Sequence, residues 1–159
     1  VHGLPVLVLL AFATPLSWAS DPPPATDPPP AILAELPAVS PAALAEALAQ
    51  PEPERRPLVL DVRRDDEFAE GHVPGAVHIP HDRLAARLPE LAGAKDREVV
   101  VYCRSGRRAA LALETLKNAG FRRLAHLQGD YPGWVEAQAA GQAPAEPAST
   151  GVAPPEVPE

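Results

Sequence analysis

The single cysteine of the chain, Cys103, stands in VVVYCRSGRRAALALETL, residues 99–116, directly after four β-forming residues and directly before a helical pattern. Arg104, Arg107 and Arg108 surround it, with Ser105 and Gly106 between them. A strand ending near Tyr102 and a helix beginning near Arg107 would turn the backbone N–H groups of residues 104–108 toward one point, at the positive end of a helix dipole. That is an anion cradle with sulfur in its floor. Such a setting is expected to lower a thiol pKa from about 8.5 into the range of roughly 3.5 to 7.5, making thiolate the main species near neutral pH. Gly106 allows the loop to turn without a Cβ penalty, and Ser105 offers a hydroxyl donor. Arg104 and Arg108 add fixed positive charge suited to an oxyanion whose neighbouring sulfur is attacked. An inert buried cysteine is the plain alternative, but three arginines within five residues line an apolar core poorly.

Positioning such a loop needs a sheet, and the middle of the chain supplies the pattern of one. Ser40-Pro41 opens a short amphipathic helix with Leu44 and Leu48 on one face. Strands are expected over residues 58–62, 76–80, 98–102 and 123–127, from continuous or β-branched apolar runs. Between them, residues 64–72 give one or two helical turns closed by Gly71, residues 81–91 a helix with Leu84 and Leu88 inward, and residues 107–119 a helix stopped by Gly120. Residues 131–140 form the last helix. Strands alternating with helices imply an α/β fold with a mostly parallel sheet covered on both faces, and ligands in such sheets sit at the carboxyl ends of the strands. Cys103 is at such an end.

The ends of the chain differ from this middle. Residues 4–16 are an apolar run too short to span a bilayer, followed by Ser17-Trp18-Ala19, so residues 1–19 read as a secretory signal cleaved after Ala19. This implies a periplasmic or secreted protein with no stable membrane insertion after cleavage. Residues 20–36 contain DPPPATDPPP and are expected to form an extended Pro-rich spacer. Residues 37–140 are the expected folded domain, and residues 141–159, rich in Pro, Ala and Glu, an expected disordered tail. All 14 Lys and Arg lie between Arg55 and Arg123, against 21 acidic residues and a net charge of −7, which argues against a nucleic-acid partner. His72, His78, His81 and His126 are scattered without metal-ligand spacing, and each reads as a core-edge or surface residue; no metal or other cofactor is expected.

Four segments together resemble the single-domain rhodanese, or thiosulfate sulfurtransferase, family. VLDVRRDDEFAEGHVPGAVHIP, residues 59–80, is similar to the family's Asp-Val-Arg strand and Gly-His-x-Pro-Gly-Ala turn, and VVVYCRSGRRA to its active-site loop. LALETLKNAGF and LQGDYPGW match two further segments, the last with Asp130 where a second glycine is usual. The resemblance implies a rhodanese fold with a five-stranded parallel sheet. It also implies a ping-pong reaction in which Cys103 takes the outer sulfur of thiosulfate as a persulfide and passes it to cyanide or a thiol. Arg104, Ser105, Gly106, Arg107 and Arg108 would bind substrate. Asp61 and Arg63 would support them: Asp61 either pairs with Arg108 or caps the following loop, and Arg63 is expected to pair with Glu67. The partners implied are a small sulfur donor and acceptor, with a protein sulfur acceptor also compatible. Two other functions share these features. One is a persulfide carrier or binding module; the other is a cysteine-dependent phosphatase or arsenate reductase, disfavoured by only four residues between Cys103 and Arg108 and by the lack of a general acid in the loop.

Overall fold

The computed structural model describes residues 30–143. The expected signal segment, residues 20–29 of the expected spacer and residues 144–159 of the expected tail lie outside the described residues.

Five strands form one parallel sheet: β1 (Ala38–Val39), β2 (Leu58–Asp61), β3 (Val77–His78), β4 (Glu98–Tyr102) and β5 (Arg123–Leu127). Their order across the sheet is β1-β5-β4-β2-β3, with β4 in the centre, paired to β2 through Leu58 to Val99 and Asp61 to Tyr102, and to β5 through Val101 to His126. The helices are α1 (Ala31–Glu35), α2 (Pro41–Leu48), α3 (Asp65–Ala69), α4 (Leu84–Arg87), α5 (Arg107–Asn118) and α6 (Asp130–Ala139). As the sequence pattern implies, α2 begins at a cap: the Ser40 hydroxyl accepts from the Ala43 N–H at 3.2 Å, and proline occupies the first helical position. Residues 81–91, expected as one helix, give instead the single turn α4 followed by a 3₁₀ stretch, Leu88–Ala94, because Pro89 cannot donate the bond that would continue the α-helix. Among the described residues no helix is long and apolar enough to cross a membrane.

Strand alternation divides the core in two. Val99 and Val101 of β4, with Cys103 just beyond it, face one side and pack with Leu60, Val62, Leu113 and Leu116. Val100 and Tyr102 face the other and pack with Leu44, Val59, Leu127 and Trp134. Cys103 is therefore a core residue of the α5 side, and Tyr102 of the side covered by α2 and α6.

The spacer expectation for residues 20–36 is corrected at its end. α1 lies within it, Ile32 is 7% exposed, and Leu33 packs against the core beside α5. Two apolar side chains on one helical turn bury enough surface against α5 to hold the turn in place. β1, which was not expected, adds two residues to the sheet edge through pairing with β5. Replacing Ile32 with Ala is expected to destabilise the domain by about 2 kcal/mol, the low end for a buried aliphatic side chain. Chemical denaturation measures it; a free spacer would give no change.

Candidate active site

The loop from Cys103 to Arg108 turns out of β4 into α5, at the carboxyl edge of the sheet. Gly106 precedes the first helical residue with φ 83°, a left-handed conformation, and a Cβ there would stand 3.0 Å from Leu33 Cδ1. The left-handed backbone is what favours glycine here, and the Leu33 contact adds to it only as far as that side chain resists moving. The Gly106 N–H donates to Cys103 Sγ at 3.2 Å, and the backbone N–H groups of Ser105 and Ala109 also favour charge on the sulfur. Backbone donors thus converge on the thiol as the strand-loop-helix spacing predicts. Arg104, Ser105 and Arg107 are exposed around the mouth, Arg108 is partly buried, and Cys103 is fully buried.

The thiol's charge state departs from expectation. Burial pushes the Cys103 pKa up, the Asp130 carboxylate pushes it further, and the N–H groups of Ser105, Ala109 and Gly106 only partly oppose them. The loop therefore does not lower the thiol pKa. A helix N-terminus favours the anion, but removing the sulfur from water disfavours it by more.

The supporting ion pairs also differ from those expected. Arg108 makes a two-pronged pair not with Asp61 but with Glu67 of α3, including Nη2 to Oε1 at 2.8 Å. The bond from Arg108, aided by the Arg64 N–H, holds the Glu67 carboxyl down at about 2. Arg63, expected on Glu67, turns instead to Asp61: its Nη2 is 2.7 Å from Asp61 Oδ2, and the same nitrogen donates to the Gly71 carbonyl at 2.6 Å. Asp61 Oδ1 also accepts from the Arg63 N–H at 2.9 Å, so the carboxylate caps the start of the loop as well. Strand alternation is the reason. Asp61 points to the same side as Tyr102, whereas α5 carries Arg108 on the other. Burial works against the Arg63 charge more than any single partner supports it, but the bond to Asp61, the Asp61 charge and Tyr102 together outweigh it and its pKa lies above the ordinary value. The guanidinium is also 3.9 Å from the Tyr131 ring centre, an arrangement that stabilises a buried cation.

Asp130 and His126 were not assigned to the site by residue pattern. Asp130 Oδ1 accepts the Cys103 N–H at 2.8 Å, and His126 Nε2 lies 3.1 Å from the same oxygen. The next residue of α6, Tyr131, donates its N–H to the Cys103 carbonyl at 3.0 Å. The only hint in the sequence was an acidic residue within QGDYPGW, where glycine was expected.

A buried thiol at the carboxyl edge of a parallel sheet, ringed by backbone donors and arginines, defines an α/β domain with a cysteine anion loop. The sequence pattern of the rhodanese-like domain matches residues 40–137, and the chain belongs to that family. It is 37% identical over 78 residues to a sulfurtransferase of Allochromatium vinosum, covering 49% of this chain and 71% of that one. It is 35% identical over 77 residues to YrkF of Bacillus subtilis, whose name marks it as a candidate sulfur carrier; this covers 48% of the chain but only 40% of YrkF. Among solved structures, the thiosulfate sulfurtransferase of Pseudomonas aeruginosa superposes with a TM-score of 0.56 at 27% identity, over 64% of this chain and 19% of that one. The five-stranded parallel sheet implied by the resemblance is the one observed. These relatives support a role in sulfur transfer.

The Glu67–Arg108 pair makes a measurable prediction. With the Glu67 carboxyl held at about 2 rather than 4.5, its stabilisation is complete above about pH 4.5 and is lost as the pH falls toward 2. Glu67→Gln is expected to cost about 1–2 kcal/mol at pH 7 and to flatten the pH dependence of stability in that window. Urea unfolding between pH 2 and 7 reads both.

Proposed function

We propose that the protein is a sulfurtransferase that takes the outer sulfur of thiosulfate onto Cys103 and delivers it to cyanide or a thiol. The observation that carries this reading is the convergence of backbone N–H groups on one buried thiol at the floor of an arginine-rimmed loop. Donors so placed solvate a sulfur anion that burial removes from bulk water, and need no reorganisation as charge develops.

In the first half-reaction Cys103 gives its proton to solvent, and the thiolate attacks the outer sulfur of thiosulfate. The S–S bond of the donor breaks, and sulfite leaves with the bonding electron pair. The persulfide anion then occupies the loop. In the second, the acceptor carbon or sulfur attacks that outer sulfur, the persulfide bond breaks, and its electron pair returns to Cys103. No external oxidant or reductant is consumed. Arg104 and Arg107, exposed at the mouth, favour approach of a dianion. Arg108 acts as a strut, since its charge is matched by Glu67. The similarity to YrkF supports a second reading, in which the acceptor is a protein and the domain is a persulfide carrier.

Intact mass of the purified chain tests the chemistry. Incubation with thiosulfate is expected to add one sulfur atom, cyanide to remove it, and Cys103→Ser never to show it. A wild-type protein that gains no sulfur, or a serine variant that gains it equally, overturns the reading. A persulfide that forms but resists cyanide and small thiols favours the carrier.

A further inference from the structure

Asp130 occupies a costly position. It is the one residue other than glycine with positive φ among the described residues, at 54°, and its side chain is buried, with the residue 5% exposed. Asp and Asn enter that region more readily than other side chains, yet glycine would enter it with less strain. What the carboxylate gains is a bond to the start of the loop, with its second oxygen lying toward Gly106. Oδ1 receives the Cys103 N–H at 2.8 Å, and Oδ2 lies 3.5 Å from where a Cβ on Gly106 would be. His126 reaches across from β5 to the same Oδ1 at 3.1 Å.

The other charges around the sulfur are arranged differently. Arg108, from α5, is matched by Glu67 of α3, and Asp61 of β2 is matched by Arg63. Arg104 and Arg107 stand exposed on the outer side. Asp130 has no arginine partner of this kind: its Oδ1 is held by the Cys103 N–H and by His126 Nε2. The hydroxyl of Tyr102, buried beside Asp61, accepts the Val73 N–H and carries no charge, because burial pushes its pKa well up.

Resting on the sulfurtransferase reading above, we propose that Asp130 is a positioning residue for sulfur transfer: held under Cys103 by the Cys103 N–H and by His126, its carboxylate keeps negative charge off Cys103 Sγ and reserves the loop donors for the outer sulfur of a persulfide. A carboxylate next to a thiolate repels it. In a persulfide the charge sits on the outer sulfur, one bond further from the Cys103 backbone that Asp130 holds, where the repulsion is weaker. The empty loop then holds a neutral thiol, and the loaded loop holds the anion. The upward push that Asp130 exerts on the thiol is in the same direction.

The test uses Asp130→Asn, which keeps a side-chain oxygen for the Cys103 N–H and tolerates the left-handed backbone but removes the charge. Thiolate ultraviolet absorbance of the full chain is followed against pH, with Cys103→Ser as blank. The Asp130→Asn midpoint is expected to fall by about one pH unit, about tenfold in the thiol–thiolate equilibrium. At a pH above both midpoints and a fixed thiosulfate-to-sulfite ratio, the ratio of persulfide to free enzyme by mass is expected to be several-fold higher in the wild type. Should Asp130→Asn fail to fold, Asp130→Gly, which relaxes the backbone, takes its place with the same expected shift. A folded variant whose midpoint does not move, while persulfide still forms, overturns the role of Asp130 alone. Absence of persulfide in the wild type, with the midpoint shifted, overturns the sulfur-transfer reading instead.

Discussion

The peptide of Cys103 is gripped from both sides by the first residues of α6: its N–H by Asp130 and its carbonyl by the Tyr131 N–H. The rest of the site depends on that grip. β4 ends at Tyr102, and without it the next residue would be free to follow the loop. Pinned, Cys103 continues the strand's alternation by one more step, so its sulfur drops into the α5 side while the loop rises over it. Two hydrogen bonds, one to a charged acceptor, are worth a few kcal/mol together, comparable to a large part of a domain's net stability. Gly133, one turn into α6, permits the close approach this requires, since a Cβ there would lie 2.8 Å from the Gln128 carbonyl.

Around that fixed point, charge is handled by pairing rather than by exposure. Glu67 takes the Arg108 charge, Asp61 takes that of Arg63, and the Tyr131 ring covers the guanidinium of Arg63. Each pair ties one loop to another: α3 to α5 in the first case, the end of β2 to the Gly71 turn and the start of α6 in the second. The fully buried Asp61–Arg63 pair serves geometry more than net stability, because desolvation consumes much of the attraction, whereas the partly buried Glu67–Arg108 pair keeps more of it. Here they hold five chain segments in register around one sulfur.

Much of this was legible in the sequence, and the exceptions have a common cause. The strands Glu98–Tyr102 and Arg123–Leu127, the Ser40 cap and the helix closed before Gly120 announce themselves through local periodicity and punctuation. So does the cradle, because strand, glycine and helix occur in sequence. What was misjudged needed three dimensions. Of the two roles open to Asp61, the loop cap is the one found, while alternation on β2 sends it away from Arg108 and exchanges the partners expected of Arg108 and Arg63. The thiol was expected to ionise easily because dipole and arginines are visible in sequence, while its burial and the Asp130 carboxylate 27 positions away are not. α1 and β1 were overlooked because each is held by the elements it packs on, α5 and β5, rather than by any strong pattern of its own.

The alternation along β4 also says where this architecture can vary. Before the cysteine, inserting or deleting one residue would exchange Val99, Val101 and Cys103 with Val100 and Tyr102, turning the sulfur toward Trp134 and the aromatic network on the wrong side of the sheet. After the cysteine no such parity exists, because the chain has left the ladder and only has to arrive at the start of α5. The approach to the sulfur is thus digital and the loop beyond it analogue. Evolution or a designer can resize the mouth residue by residue to admit a different electrophile, so long as the count leading up to the thiol is left alone.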